Sequence, residues 1–393
     1  GCRDGTVGGS HSCLFSMVSH IDRKQYYPIV IFYHDNLFAQ RLRDIGIEVH
    51  IFKFRNPINL SNIIDDNLVF VNKVSILLLL LQKMFNFMWV FALPSLSYAW
   101  FLKKCKVDVL HLNNSLNSNH EWFLAARLAS VKIVSHERGI SEILSRTSKY
   151  LASNVDRFIC VSNLIKAPLL RQGIRCEKAA VVYDGIDPGK IRAKRSPESI
   201  KAALRIDNRQ PVIGAVGNIK KWKGQESVVR ATAILKKDWP DIKCLLVGGT
   251  VPGDPFSGMI EKLIQELDLE DNVIMTGFQE NPADFINVMD VVIHASLEPE
   301  PFGMVNLEAM YMKKPVISTN IGGPLEIFRH GIDGILIEPG NAEILAAKVA
   351  SLLLHPKVGI AMGQKAHLAV AEKFSIATTV SSIQGVYEEI TRE

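Results

Sequence analysis

Short apolar runs alternate with amphipathic segments along most of the chain. In the second half, six β-rich runs are separated by segments with helical periodicity. The strand candidates are 212–217, 243–249, 272–277, 291–296, 315–320 and 334–339, and the clearest helix candidates are 225–237, 258–267, 303–313 and 341–355. Apolar strands that alternate with amphipathic helices are typical of a parallel sheet covered by helices on both faces.

The first half repeats this pattern less evenly, with strand candidates at 27–34, 48–54, 107–113, 131–136, 157–162 and 179–183. Gly, Pro and a run of basic residues interrupt the periodicity over 185–196. The pattern predicts an α/β fold of two doubly wound, Rossmann-like domains that face each other across a cleft. We expect the domains at 1–188 and 189–370, and a helix over 371–393 that packs back on the first domain. Ligands of such sheets bind beyond the carboxyl ends of the strands, so the cleft is the expected site.

The chain begins inside a glycine-rich stretch, and no hydrophobic strand precedes it. An α/β domain normally enters such a loop from a strand. We therefore expect the first strand of the domain to lie before residue 1 in a longer natural protein.

One stretch of the first half is unusually apolar. Residues 84–102 contain no charged side chain, and Lys83, Lys103 and Lys104 flank them. The stretch is long enough to span a bilayer, although Pro94 and several polar residues dilute it. Three alternatives are open: a spanning helix, a helix buried in the domain, and an amphipathic surface that faces a membrane.

Composition narrows the function classes. A chain of 393 residues with 48% hydrophobic and 22% charged residues is typical of a globular protein. The six cysteines show no CxxC pair, which argues against a disulfide framework or a structural zinc site and favours a reducing, cytoplasmic compartment. Residues 1–190 carry a net charge of +8 and the remainder −3. The basic half suits a phosphorylated ligand or an anionic membrane surface, and the absence of a nucleic-acid-binding motif argues against nucleic acid.

The strongest local motif runs from residue 297 to 309, where a strand leads into a predicted helix. The unpaired N–H groups at a helix start form an anion site, and Gly303 lets a phosphate approach the backbone. Glu308 is placed to accept hydrogen bonds from ribose hydroxyls, and Glu300 to hold hydroxyls of a sugar. The alternative for either glutamate is simple stabilisation of the helix dipole.

Glu300 and Glu308 enclose seven residues, and the motif resembles the E-x7-E motif of retaining GT-B glycosyltransferases of family 4. Other landmarks of that family follow in its order along most of the chain. They are 181–187, 216–219 with 222–224, 276–278, 295–296, 322–323 and 331–334.

The resemblance implies a donor site in the second domain. Lys223 is expected to pair with the donor's diphosphate, as lysines commonly do. Asn218 stands where the family often has arginine, so it brings a hydrogen-bond donor without a charge. The family pattern further implies that the backbone of 276–278, including Gly277 and Phe278, meets the base and that Glu308 meets the ribose. It assigns Glu300 and the amides of Phe302, Gly303 and Met304 to the sugar and the β-phosphate.

The resemblance also implies two sites in the first domain. Gly8 and Gly9 are similar to the family's glycine loop, which touches the diphosphate, although a glycine pair alone is more often a turn. His136, followed by Glu137-Arg138-Gly139, matches the family's histidine beside the reacting sugar. A histidine after a strand is otherwise usually structural.

Together, these residues predict a retaining glycosyltransferase that needs no cofactor and no metal. His136, Glu300 and Lys223 are the expected catalytic residues, a nucleotide-sugar is the expected donor, and a glycan or lipid-linked molecule is the expected acceptor. Lys223 and helix amides are expected to neutralise the leaving diphosphate. Three alternatives are a nucleotide-sugar epimerase on the same fold, a two-domain solute-binding protein, and a non-catalytic homologue that only binds.

Overall fold

The computed structural model describes residues 9–59, 73–250 and 253–392. These residues form two compact units. The first comprises Gly1–Val161, Ile165–Val182 and Val380–Glu393, and the second comprises Ser162–Leu164 and Tyr183–Thr379. The chain thus changes unit at Val161–Ser162, Leu164–Ile165, Val182–Tyr183 and Thr379–Val380.

The first unit is built from parallel strands and the helices between them. Its helices are α1 (Gly9–His20), α2 (Leu37–Asp44), α3 (Lys73–Asn86), α4 (Leu93–Lys104), α5 (His120–Ala129), α6 (Arg146–Ala152) and α7 (Asn163–Arg171). Its strands are β1 (Ile29–Phe32), β2 (Glu48–Ile51), β3 (Val109–Asn114), β4 (Lys132–Glu137), β5 (Arg157–Cys160) and β6 (Ala179–Val181). β1 pairs with β2, and the others form a sheet in the order β3-β4-β5-β6.

The second unit contains one parallel sheet in the order β12-β11-β10-β7-β8-β9. Its strands are β7 (Val212–Val216), β8 (Lys243–Val247), β9 (Val273–Gly277), β10 (Val291–His294), β11 (Val316–Thr319) and β12 (Ile335–Ile337). Its helices are α8 (Pro197–Ala203), α9 (Gln225–Leu235), α10 (Phe256–Glu266), α11 (Ala283–Val288), α12 (Met304–Tyr311), α13 (Pro324–Ile327), α14 (Ala342–Leu354) and α15 (Pro356–Lys373). The last helix, α16 (Ile376–Arg392), begins in the second unit and ends in the first.

The apolar runs of the sequence form the cores of the units. All four residues of β10 and of β11 are buried, and α9 and α14 pack their apolar sides on the same core. Strands that are covered on both faces have continuous apolar sequences, because neither face meets water. The prediction of an α/β fold with two Rossmann-like domains is therefore confirmed.

The apolar stretch of the first half is helical from α3 to α4, with a π-helical segment at Phe87–Ala92 between them. Leu78–Lys104 is long and apolar enough to cross a membrane, and only 11% of its most apolar window is buried. Of the three alternatives, a helix buried in the domain therefore does not fit most of this stretch. α4 alone has a buried side, because Tyr98 stacks on Trp122 of α5 at a ring-centroid distance of 4.2 Å.

Candidate functional site

Several strand ends and loops of the second unit meet at one edge of its sheet. The N–H of Gly217, after β7, donates to Val247 O at 2.8 Å, and the N–H of Ile219 donates to Gly249 O at 2.9 Å. Gly248 N–H donates to Gly277 O at the end of β9, at 3.1 Å. Backbone groups from three neighbouring strands therefore form a continuous edge, at the place where parallel sheets bind ligands.

A cluster of ionisable side chains lies at this edge. Lys223 Nζ forms an ion pair with Glu300 Oε1, and His294 Nε2 contacts the other carboxylate oxygen, Oε2. All three side chains are largely shielded from water. The second imidazole nitrogen of His294, Nδ1, lies 3.1 Å from the hydroxyl of Ser318. Glu300 is thus held by one partner on each oxygen.

The charge states of the cluster follow from burial. Burial lowers the pKa of the Lys223 ammonium to about 8, so the group keeps its proton at neutral pH. Burial, and then the nearby Lys223 charge, lower the pKa of His294 to about 3, so its imidazole is neutral. A carboxylate only accepts hydrogen bonds, so the His294 proton must lie on Nε2 and point to Glu300.

The loop that carries Glu300 is fixed by close contacts with a glycine pair. The backbone of Gly303 has φ +103°, in the left-handed region that favours glycine. A Cβ on Gly322 would lie 2.7 Å from the backbone N of Glu300, and one on Gly323 would lie 2.3 Å from the backbone of Phe302. At both glycines a side chain would collide with the backbone of the loop that carries Glu300. This close packing holds the loop in one place at the start of α12.

Glu308 lies in α12, beyond the loop, and is partly buried. Burial raises the pKa of its carboxyl group to about 7, so it ionises near neutrality. Two residues earlier, Asn306 is fully buried, and its side-chain N and O have no hydrogen-bond partner among the described residues. α12 therefore presents a perturbed carboxyl group and an unsatisfied amide beside the Glu300 loop.

The other residues that the sequence predicts to bind the nucleotide-sugar lie outside this cluster. Asn218 is exposed, and its backbone O accepts a hydrogen bond from Gln225 Nε2 at 3.0 Å. Gly277 and Phe278 are exposed at the end of β9, with the Phe278 side chain 78% exposed. Phe302 is buried and stacks on Tyr183 at 5.4 Å, so only its backbone can face a ligand. Met304 is partly buried at the first position of α12.

The predicted residues of the first domain lie in the first unit. Gly8 lies outside the described residues, and Gly9 is the exposed first residue of α1. His136, near the end of β4, is fully buried, and burial and then Arg138 lower its pKa well below the usual value. The structure thus brings Lys223, Glu300 and Gly303 together in the second unit, and places Gly9 and His136 in the other unit.

His294 is not among the site residues predicted from the sequence. The residue ends a fully buried strand six positions before Glu300, and a histidine among apolar neighbours at a strand end is the signal that could have found it. Within 9–59, 73–250 and 253–392, no group of three or more His, Cys, Asp or Glu side chains is arranged to hold a metal ion.

Family models match both parts of the chain. Residues 196–368 match the model described as Glycosyl transferases group 1, and residues 34–190 match the model described as Glycosyltransferase Family 4. The matched segments contain the Lys223–Glu300 cluster, Glu308 and His136.

Comparisons of sequence and of structure both find proteins that match this chain over most of their length. The chain is 27% identical to N-acetyl-alpha-D-glucosaminyl L-malate synthase of Bacillus anthracis over 90% of this chain and 92% of that protein. The structure of this chain is similar to that of Anabaena HepE in complex with UDP, with a TM-score of 0.80 and 23% identity over 98% and 97% of the two chains. HepE has also been crystallised with UDP-glucose. A glycosyltransferase from Rickettsia africae has a TM-score of 0.80 and 24% identity over 98% and 96% of the chains. Both family models thus describe glycosyltransferases, and the structural neighbours share the GT-B fold of this chain.

Proposed function

We propose that the chain transfers a sugar from a nucleoside-diphosphate sugar to a glycan or lipid-linked acceptor, with retention at the anomeric carbon and without a metal ion. The observation that carries the proposal is the buried Lys223–Glu300–His294 cluster at the start of α12. The complexes of HepE with UDP and UDP-glucose support a donor of this class.

The donor would be held by groups of the second unit. The Lys223 ammonium and the N–H groups at the start of α12 suit the diphosphate, whose charge grows as it leaves. A preorganised ammonium can take the charge-neutralising role that a cation plays in other transferases. The Glu308 carboxylate suits the ribose hydroxyls, and the backbone at Gly277 and Phe278 suits the base.

Glu300 is a positioning group in this proposal and not a nucleophile. Lys223 and His294 each contact one of its oxygens, so the carboxylate is already held in an ion pair and a hydrogen bond. We therefore propose a front-face displacement. The bond from the anomeric carbon to the phosphate oxygen breaks, the bond to the acceptor oxygen forms on the same face, and the departing phosphate takes the acceptor's proton.

A panel of nucleotide-sugars tested by thermal shift identifies the donor, because a ligand at a hundred times its Kd stabilises a protein by about 2.7 kcal/mol. The proton NMR spectrum of the product, formed in the presence of EDTA, then reports the anomeric configuration. The proposal predicts the donor's configuration and full activity in EDTA. Inversion, a strict requirement for Mg²⁺ or Mn²⁺, or conversion of the donor without any acceptor would contradict it.

A further inference from the structure

The helix from Leu78 to Lys104 presents apolar side chains to solvent over most of its length. The exposed large side chains are Leu78, Leu79, Leu80, Leu81, Met84, Phe85, Phe87, Met88, Trp89, Leu93, Leu96 and Trp100. The four consecutive leucines point to all sides of the helix, since successive residues are about 100° apart. A partner protein covers one stripe of a helix, whereas lipid can surround it.

The ends of this helix are basic. Residues 73–106 contain no acidic side chain, and Lys83, Lys103 and Lys104 are exposed. Arg55 lies over the Trp89 ring at 4.3 Å, and Lys104 lies over the Trp100 ring at 4.9 Å. Basic side chains beside exposed indole rings are typical of segments that lie at the interface of an anionic bilayer.

The helix cannot span a bilayer in this fold. Its α4 part is fixed to the core of the first unit, where Tyr98 stacks on Trp122 and Phe101 contacts Phe52. The strands β2 and β3, before and after it, belong to the same unit. Spanning would remove α4 from that core.

We propose that Leu78–Lys104 docks the protein on the surface of an anionic membrane, with the protein in the cytoplasm and the acceptor lipid-linked. The acceptor part rests on the proposed transferase function, whereas the docking does not. Each further basic residue near such a surface contributes to an attraction that salt screens.

Flotation with vesicles of phosphatidylglycerol and phosphatidylcholine tests the docking. We expect the protein to float with these vesicles at low salt and to be released by added salt. We expect Leu81→Glu with Met84→Glu to abolish flotation, and Leu368→Glu, at an exposed leucine of α15, to leave it unchanged.

Two results would overturn the docking. One is a protein that stays soluble beside these vesicles at low salt. The other is self-association that the Leu81 and Met84 substitutions abolish while flotation persists, because a second copy would then cover the helix. A protein that docks but transfers no sugar would refute the transferase function alone.

A second, independent observation concerns three polar side chains inside the first unit. Tyr387 Oη lies 2.6 Å from His111 Nδ1, and His111 Nε2 lies 3.1 Å from His136 Nδ1. His111 is on β3, His136 on β4 and Tyr387 on α16. The last nitrogen, His136 Nε2, is buried and has no hydrogen-bond partner among the described residues.

The direction of the hydrogen bonds in this chain follows from counting protons. Each neutral imidazole has one N–H, and a phenol has one O–H. In the described part of the protein, His111 is the one hydrogen-bond partner of the Tyr387 hydroxyl. If His111 donated to Tyr387, the buried O–H would have no acceptor, which is costly. The bonds therefore run from Tyr387 to His111 and from His111 to His136.

The protonation states support this direction. Burial, and then Arg138, lower the pKa of His111 to about 3, and the same causes in the same order act on His136. Burial, and then Tyr26, raise the pKa of Tyr387, so the phenol keeps its proton. All three groups are neutral at physiological pH.

We infer that Tyr387 and His111 are positioning residues that fix the proton of His136 on Nε2. His136 then presents a hydrogen-bond donor at Nε2, and not a lone pair that could act as a base. A role of this N–H toward a substrate rests on the proposed function, whereas the tautomer does not.

Long-range proton–nitrogen correlation NMR of ¹⁵N-histidine-labelled protein tests the tautomer. We expect His136, assigned from the signals lost in His136→Gln, to carry its proton on Nε2. We expect Tyr387→Phe to populate the Nδ1–H form and to lower kcat with little change in KM. Tyr26→Phe is the matched control, because Tyr26 packs on Tyr387 at 5.8 Å without contacting either histidine, and it should leave the tautomer unchanged.

A proton on Nδ1 of His136 in the parent protein would overturn the inference, and so would an unchanged spectrum in Tyr387→Phe. The NMR result stands whether or not transfer is detected. Failure of the proposed function is therefore distinguishable from failure of this inference.

Discussion

Glu300 uses its two oxygens on two different partners, Lys223 and His294, and both partners are buried with it. A buried carboxylate whose two oxygens both have partners is held rigidly. If one member of the ion pair is removed, the charge of the other stays buried without a partner, which destabilises the protein. This arrangement makes the cluster a fixed electrostatic feature of the second unit. The pKa of Glu308, in contrast, is raised by burial alone.

We expect Glu308→Ala to weaken binding of the nucleotide part of the donor by about ten- to a hundredfold, because hydrogen bonds to a charged group contribute about 1.5–3 kcal/mol. Calorimetric titration with UDP measures the change. Glu298→Ala, at an exposed glutamate of the loop before α12, is the control and should bind like the parent. Equal affinity in a folded Glu308→Ala protein would remove Glu308 from the site.

The pKa values of Glu308 and Lys223 predict a narrow pH optimum. Glu308 binds ribose best when ionised, so donor affinity should fall as the pH drops below about 7. Lys223 acts as an ammonium, so transfer should fall as the pH rises above about 8. A profile of kcat/KM against pH should be bell-shaped. Lys223→Arg should move the basic limb to higher pH, because arginine keeps its charge, and an unmoved limb would contradict this origin.

The loop before α12 is the element on which the site depends. It is held by Gly322 and Gly323, where even a methyl group would meet backbone atoms of the loop. The position of Glu300 is thus set by a second loop, between β11 and α13. Because these two loops pack together, the short loop before α12 can hold a buried ion pair.

We expect Gly323→Ala to destabilise the protein by about 1–3 kcal/mol and to weaken donor binding, because its Cβ would lie 2.3 Å from the Phe302 backbone. Thermal unfolding and titration measure both effects. Gly258→Ala, in α10, is the matched control, since its Cβ would meet nothing within 4 Å. Equal melting temperatures for the two variants would show that the loop has room to move.

The sequence predicts the strands of both units well, because each is an apolar run that ends at a polar or glycine residue. Glu300 and Glu308 are found for a similar reason, since their spacing is local and their motif is specific. The pairing of His111 with Tyr387 could not be predicted, because 276 positions separate them. The exposure of Leu78–Leu81 could not be predicted either, since an apolar helix has the same sequence pattern whether protein or lipid covers it.

The two units of the molecule differ in net charge, in exposed surface and in the ionisable side chains that they bury. The second unit carries the Lys223–Glu300–His294 cluster and a net negative sequence, so its basic Lys223 is a local feature and not part of a general charge excess. The first unit carries the excess positive charge, the exposed helix and the buried His136. This division agrees with separate family models for the two parts of the chain.

The proposed function depends on metal-free recognition of a sugar diphosphate by Lys223. Titration of the preferred nucleotide-sugar in EDTA tests it most directly. We predict saturable binding by the parent and by Lys237→Ala, at an exposed lysine after α9, and binding about ten- to a hundredfold weaker in Lys223→Ala. Loss of binding in EDTA, or equal affinity in a folded Lys223→Ala protein, would contradict the claim.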